Sequence, residues 1–121
     1  MDETQKTLTE ADLRQFTGGE TRYRHPIGRL LYTEGVKYLA EKGGAYWLLD
    51  VVGSYQGNPR VKACEPQFWT LTVKDGKGVV VMREDTDTPD IVRQRIPYTD
   101  FPLPEARIWV CDGTMLLPSE Y

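Results

Sequence analysis

Apolar and polar positions change rhythm twice along the chain. From Leu8 to Phe16 and again from Thr33 to Ser54 the apolar residues recur at helical spacing. From Phe68 onward they alternate. Thr9 and Asp12 have the reciprocal spacing of a capping box. Leu8 and Leu13 have that of a hydrophobic staple, and Gly18-Gly19 stops the element, which predicts a short helix over about 10–16. Thr33 caps a second helix over about 34–42, with Val36, Leu39 and Ala40 on one face, Glu34 in its first turn and Lys42 in its last. Gly43-Gly44 permits a tight link to Ala45–Ser54, which is apolar nearly all round and which Gly53 and then Gly57-Asn58-Pro59 end. That segment reads as a buried helix, with a buried strand as the alternative. The segment Glu20–Arg29, broken by Pro26, reads as a loop or an isolated extended piece.

Trp69, Leu71 and Val73 then fall on one side of a strand, and Phe68, Thr70 and Thr72 on the other. Asp75-Gly76 turns the chain into a return strand over about 79–84. A third strand spans about 91–98, with Val92, Gln94 and Ile96 opposite Arg93 and Arg95. Pro97, Pro102 and Pro104 bracket a corner, and a last hairpin turns at Asp112-Gly113. Sequential hairpins imply antiparallel neighbours. The expectation is an α+β domain over residues 1–121, with residues 1–7 a disordered tail, in which the helical pair and the short N-terminal helix pack on one face of an antiparallel meander of about five strands.

Composition adds mostly exclusions. With 121 residues, 40% hydrophobic and 27% charged, the chain is long enough for one core and unlike a disordered segment. No apolar run approaches a membrane span and the start is polar, so a cytoplasmic location with no membrane contact is expected. A formal charge of -3 offers no global attraction to nucleic acid. Cys64 and Cys111 lack metal-site spacing, and no nucleotide-cradling or histidine-pair zinc motif occurs. Neither a metal nor another cofactor is therefore expected.

Candidate chemistry gathers in two places. Arg22, Tyr23, Arg24, His25 and Arg29 interleave cations with aromatics, residue types that hold phosphates or carboxylates; neutralisation by acidic residues such as Glu20 is the plainer account. Asp50 interrupts an otherwise apolar run, either on a solvated helix edge or paired with an arginine. The four carboxylates between Glu84 and Asp90 lack the glycine a calcium loop needs and read as a solvated loop. Three functions follow. The first is a non-enzymatic interaction module that takes a protein partner or a second copy on the surface around Arg22–Arg29 and the helical pair. The second is nucleic-acid binding through Arg22, Arg24 and Arg29. The third is an enzyme in which His25, Asp50 and one cysteine converge.

The order Phe16-Thr17-Gly18, Tyr23-Arg24-His25, Thr33 to Glu41, Gly44 to Asp50 and Gln67 to Val73 resembles a family of small bacterial, phage and plasmid-borne proteins known only as a domain of unknown function. The resemblance implies a stand-alone domain, a role connected with mobile elements, and no catalytic residues to carry over.

Overall fold

The computed structural model describes residues 8–85 and 87–121, so the tail expected over residues 1–7 lies outside the described residues. Among the described residues the architecture is α+β, with four short α-helices and a mostly antiparallel sheet of seven strands rather than five. Helix α1 spans Glu10–Arg14, two residues shorter than the spacing predicts, and its start carries both hydrogen bonds of the Thr9/Asp12 capping box. Helix α2 spans Glu34–Gly43. Its N-terminal Val36 N–H donates to Thr33 Oγ1 at 3.2 Å, and Gly44 closes it in the left-handed region. Helix α3 spans Tyr46–Ser54, so the helical alternative for this apolar segment holds. A fourth turn of helix, α4 (Pro59–Lys62), begins where the sequence reading placed only a stop. Asn58 caps it and Pro59 supplies its first position, a pairing that starts helices as well as ends them.

The strands are β1 (Arg22–Arg24), β2 (Leu31–Thr33), β3 (Gln67–Lys74), β4 (Lys77–Arg83), β5 (Val92–Ile96), β6 (Glu105–Cys111) and β7 (Thr114–Leu116). Their spatial order is β1-β2-β7-β6-β3-β4-β5, which corrects the expected meander in two respects. First, the segment read as a loop or an isolated extended piece contributes β1, extended but paired with β2, and β2 runs parallel to β7. Second, β6 pairs with β3 and not with β5. The proline-punctuated stretch 97–104 carries the chain back past the end of the β3–β4 hairpin, where Thr99 N–H donates to Gly76 O and Val73 N–H to Pro104 O. Both Asp-Gly turns are as read: Asp75, Gly76, Asp112 and Gly113 all have φ between 53° and 77°, the geometry of a two-residue hairpin turn.

Burial follows the alternation. Trp69, Leu71, Val80, Met82, Ile108 and Val110 point to one side of the sheet and meet Val36, Leu39, Leu48, Leu49 and Val52 of the helical pair. Helix α1 packs on α2, with Phe16 against Tyr38 at 5.2 Å between ring centroids. Within the core Gln67 is buried but satisfied, exchanging amide bonds with Gln56 and accepting from Trp69 Nε1 at 2.9 Å. The helices thus occupy one face of the sheet. Among the described residues no helix is long and apolar enough to cross a membrane.

Candidate binding face

His25 and Asp50, 25 residues apart, meet. The imidazole is buried, at 5% exposure, and its Nε2 lies 2.9 Å from Asp50 Oδ1, while the Asp50 side chain remains 52% exposed. A carboxylate only accepts, so Nε2 carries the proton in this bond. The partner of Asp50 is therefore the histidine and not an arginine. The loop that delivers His25 lies hard on α3: a Cβ at Gly53 would stand 2.4 Å from Ile27 O, and one at Gly28 2.5 Å from Gly53 O. Gly53 follows Asp50 by three residues, so hydrogen bond and close approach fall on the same helix face. That face, read as a solvated edge, is partly roofed by the loop.

Around this pair the rings cluster. Tyr23 stacks on Tyr32 at 5.5 Å, Lys37 Nζ stands 5.0 Å from the Tyr23 centroid, and Tyr32 meets the edge of His25 at 6.1 Å. The Tyr46 hydroxyl donates to Glu41 at 3.2 Å. Burial first, then Tyr32 and Glu41, push its pKa up to about 12. Arg22 donates to the carbonyls of Gly19 and Thr21, and Arg24 and Arg29 are exposed. Among the described residues no ion pair joins Arg22, Arg24 or Arg29 to an acid, Glu20 included. Among the described residues no hydrogen bond joins either thiol to His25 or Asp50; Cys64 Sγ donates to Arg60 O, and burial pushes both thiols up, away from the thiolate a nucleophile needs.

The other face of the sheet carries residues that the sequence reading placed on a strand but assigned no role. Cross-strand partners share a face. The register therefore sets Trp109, Phe68 and Arg83 in one row, Arg107, Thr70, Val81 and Arg93 in the next, and Glu105, Thr72, Val79 and Arg95 in a third. All of these but Arg95 line a concavity of about 460 Å³. Phe68 and Trp109 meet edge to face at 4.9 Å, and Tyr121 packs on Trp109 at 5.1 Å from the far side. On this face strands β3–β6 project four arginines, Lys74, Lys77 and Glu105, on a chain whose net charge is -3. Arg107 pairs with Glu105, and Arg83 and Arg93 both pair with Asp90. The signal in the sequence was Phe68 and Trp109 at alternate positions that otherwise read polar; alternation separates the two faces but does not say which one the helices cover.

Among the described residues the sheet carries helices on its back and an aromatic-and-arginine front that nothing covers, and this defines the class: a small α+β protein with an open sheet face. A family model described as a family of unknown function (DUF6876) matches residues 7–121, and the chain belongs to that family. No curated protein and no solved structure is matched by the chain.

Proposed function

We propose that the protein is a non-enzymatic interaction module that binds a polypeptide across the uncovered face of its sheet. The occupant is a segment presenting carboxylates beside an aromatic or aliphatic side chain. The observation that carries this is the pairing of Phe68 and Trp109 with Arg83, Arg93 and Arg107 in one concavity, with Tyr121 packed on Trp109, the residue types that dominate binding energy at protein interfaces. Arginine forks match carboxylates, and the apolar patch between them matches a buried anchor. A continuous polyanion suits the face less well, since Asp85 lines the concavity and Glu84, Asp87 and Asp90 lie in the same connection. Near-neutral balance on the face favours a partner bringing a few discrete charges.

Panning a random twelve-residue display library on the wild-type protein, with counter-selection on a Phe68→Ala/Trp109→Ala variant of unchanged circular dichroism, tests the reading. Enrichment of sequences with Asp or Glu next to an apolar anchor is the expected result. Three results would overturn it: enriched peptides that bind both proteins alike, a labelled oligothymidylate that binds this face in place of peptides, and a gel-filtration dimer that Trp109→Ala dissolves.

A further inference from the structure

We infer that Arg83 and Arg93 form the seat for a partner carboxylate on this face, and that Asp90 occupies that seat in the free protein as an internal competitor. The inference rests on the open-face reading and deepens it. Arg83 on β4 and Arg93 on β5 are diagonal neighbours, Val81 being opposite Arg93, and both line the concavity. Asp90 bridges them: Arg83 Nε donates to Oδ1 at 2.8 Å and Arg93 Nη1 to Oδ2 at 3.3 Å. One oxygen on each guanidinium is the arrangement an incoming Asp or Glu side chain would adopt. Each guanidinium has five N–H donors and commits only one of them to Asp90, so the pair can hold a second acceptor during exchange.

The connection between β4 and β5 has bonds besides this bridge. Asp85 N–H donates to Thr88 Oγ1 at 3.1 Å, the Thr88 hydroxyl returns to Asp85 O at 3.0 Å, and Ile91 N–H donates to Met82 O at 2.7 Å. Arg83 and Arg93 are 44% and 64% exposed, so water reaches the pair and one carboxylate replaces another at small cost. A carboxylate on a short tether has a high local concentration and lowers the affinity of any external one. The seat therefore favours partners that bring more than one anchor and rejects lone carboxylates.

Fluorescence anisotropy with an eight-residue fluorescein-labelled peptide of alternating glutamate and phenylalanine, and with its glutamine counterpart, tests this. Asp90→Asn is expected to tighten the glutamate peptide roughly 1.5- to 5-fold, the range of an exposed ion pair. It should leave the glutamine peptide's affinity unchanged and lower the melting temperature by no more than about 5 °C, the cost of losing that same pair, and Arg83→Gln should abolish the gain. Weaker or unchanged binding of the glutamate peptide to Asp90→Asn, equal tightening of both peptides, or no binding to any variant overturns the inference. Trp109→Ala separates the two claims. If it weakens both peptides while Asp90→Asn changes nothing, the carboxylate seat fails and the open-face reading stands. If it alters neither, the open-face reading fails.

Discussion

Replacing Gly53 by alanine places a methyl group 2.4 Å from the backbone oxygen of Ile27, about an ångström closer than ordinary contact. Helix propensity alone would make the change stabilising by ~1 kcal/mol, because Gly53 sits inside α3. The obstacle is backbone and cannot rotate away, so the loop from His25 to Leu30 must retreat by about 1 Å. A retreat of that size stretches the 2.9 Å His25–Asp50 bond beyond hydrogen-bonding range. A bond to a charged group is worth ~1.5–3 kcal/mol, cut here to ~1 because Asp50 is half in water. Overpacking adds ~1–3 kcal/mol. Subtracting the propensity gain leaves a net loss of about 2 kcal/mol, which lowers the melting temperature by roughly 6–10 °C in a domain of this size. Urea denaturation should show a lower midpoint with an unchanged slope. Gly57→Ala is the control: nothing lies within 4 Å of its Cβ position, and a change within ~0.5 kcal/mol is expected. A Gly53→Ala protein as stable as the wild type, or more so, would refute the claim that loop and helix are locked together here.

Other consequences are as direct. The Glu120 carboxylate accepts from the Thr33 hydroxyl at 2.6 Å, Leu117 N–H at 2.9 Å and Gly35 N–H at 3.3 Å, joining the C-terminus to the start of α2; Glu120→Ala should cost ~1–3 kcal/mol in urea titrations, and an unaltered midpoint would contradict this. Tyr46 should ionise near pH 12 in a phenolate absorbance titration, so its contribution to stability is full below about pH 10 and fades as pH rises through 12; Glu41→Gln should bring the titration down, and a Tyr46 that already titrates at 10 would contradict the assignment. Both thiols should react with iodoacetamide more slowly than free cysteine at pH 8, since burial raises each; a faster rate at either would reopen nucleophilic chemistry there.

What the sequence reveals of this fold divides by range. The capping box at Thr9, the cap at Thr33 and the two Asp-Gly turns were legible because each is settled within four residues. The fourth helix was equally local, written in Asn58-Pro59, but read as a stop alone. Strands β1 and β2 have three residues each, too short for alternation to register; they pair with each other, and only β7, more than 80 residues after β2, joins them to the sheet. The position of β6 depends on where residues 97–104 travel, which no periodicity records. At the sites, Asp50 stood out as a charge in an apolar run, and its bond to His25 was hidden by separation. The front of the sheet was hidden differently. Its rows assemble from four strands, and only the register brings Phe68, Trp109 and the arginines into one patch.

The most direct test of the open-face account is the affinity of one selected peptide for three proteins: the wild type, Trp109→Ala, and Tyr46→Ala on the helical side of the sheet. A central aromatic anchor is worth ~2 kcal/mol or more, so Trp109→Ala should weaken binding by about 30-fold. Tyr46→Ala should leave it within about 2-fold. Equal affinities for all three, or a loss confined to Tyr46→Ala, would contradict the account and move the binding surface to the helical side.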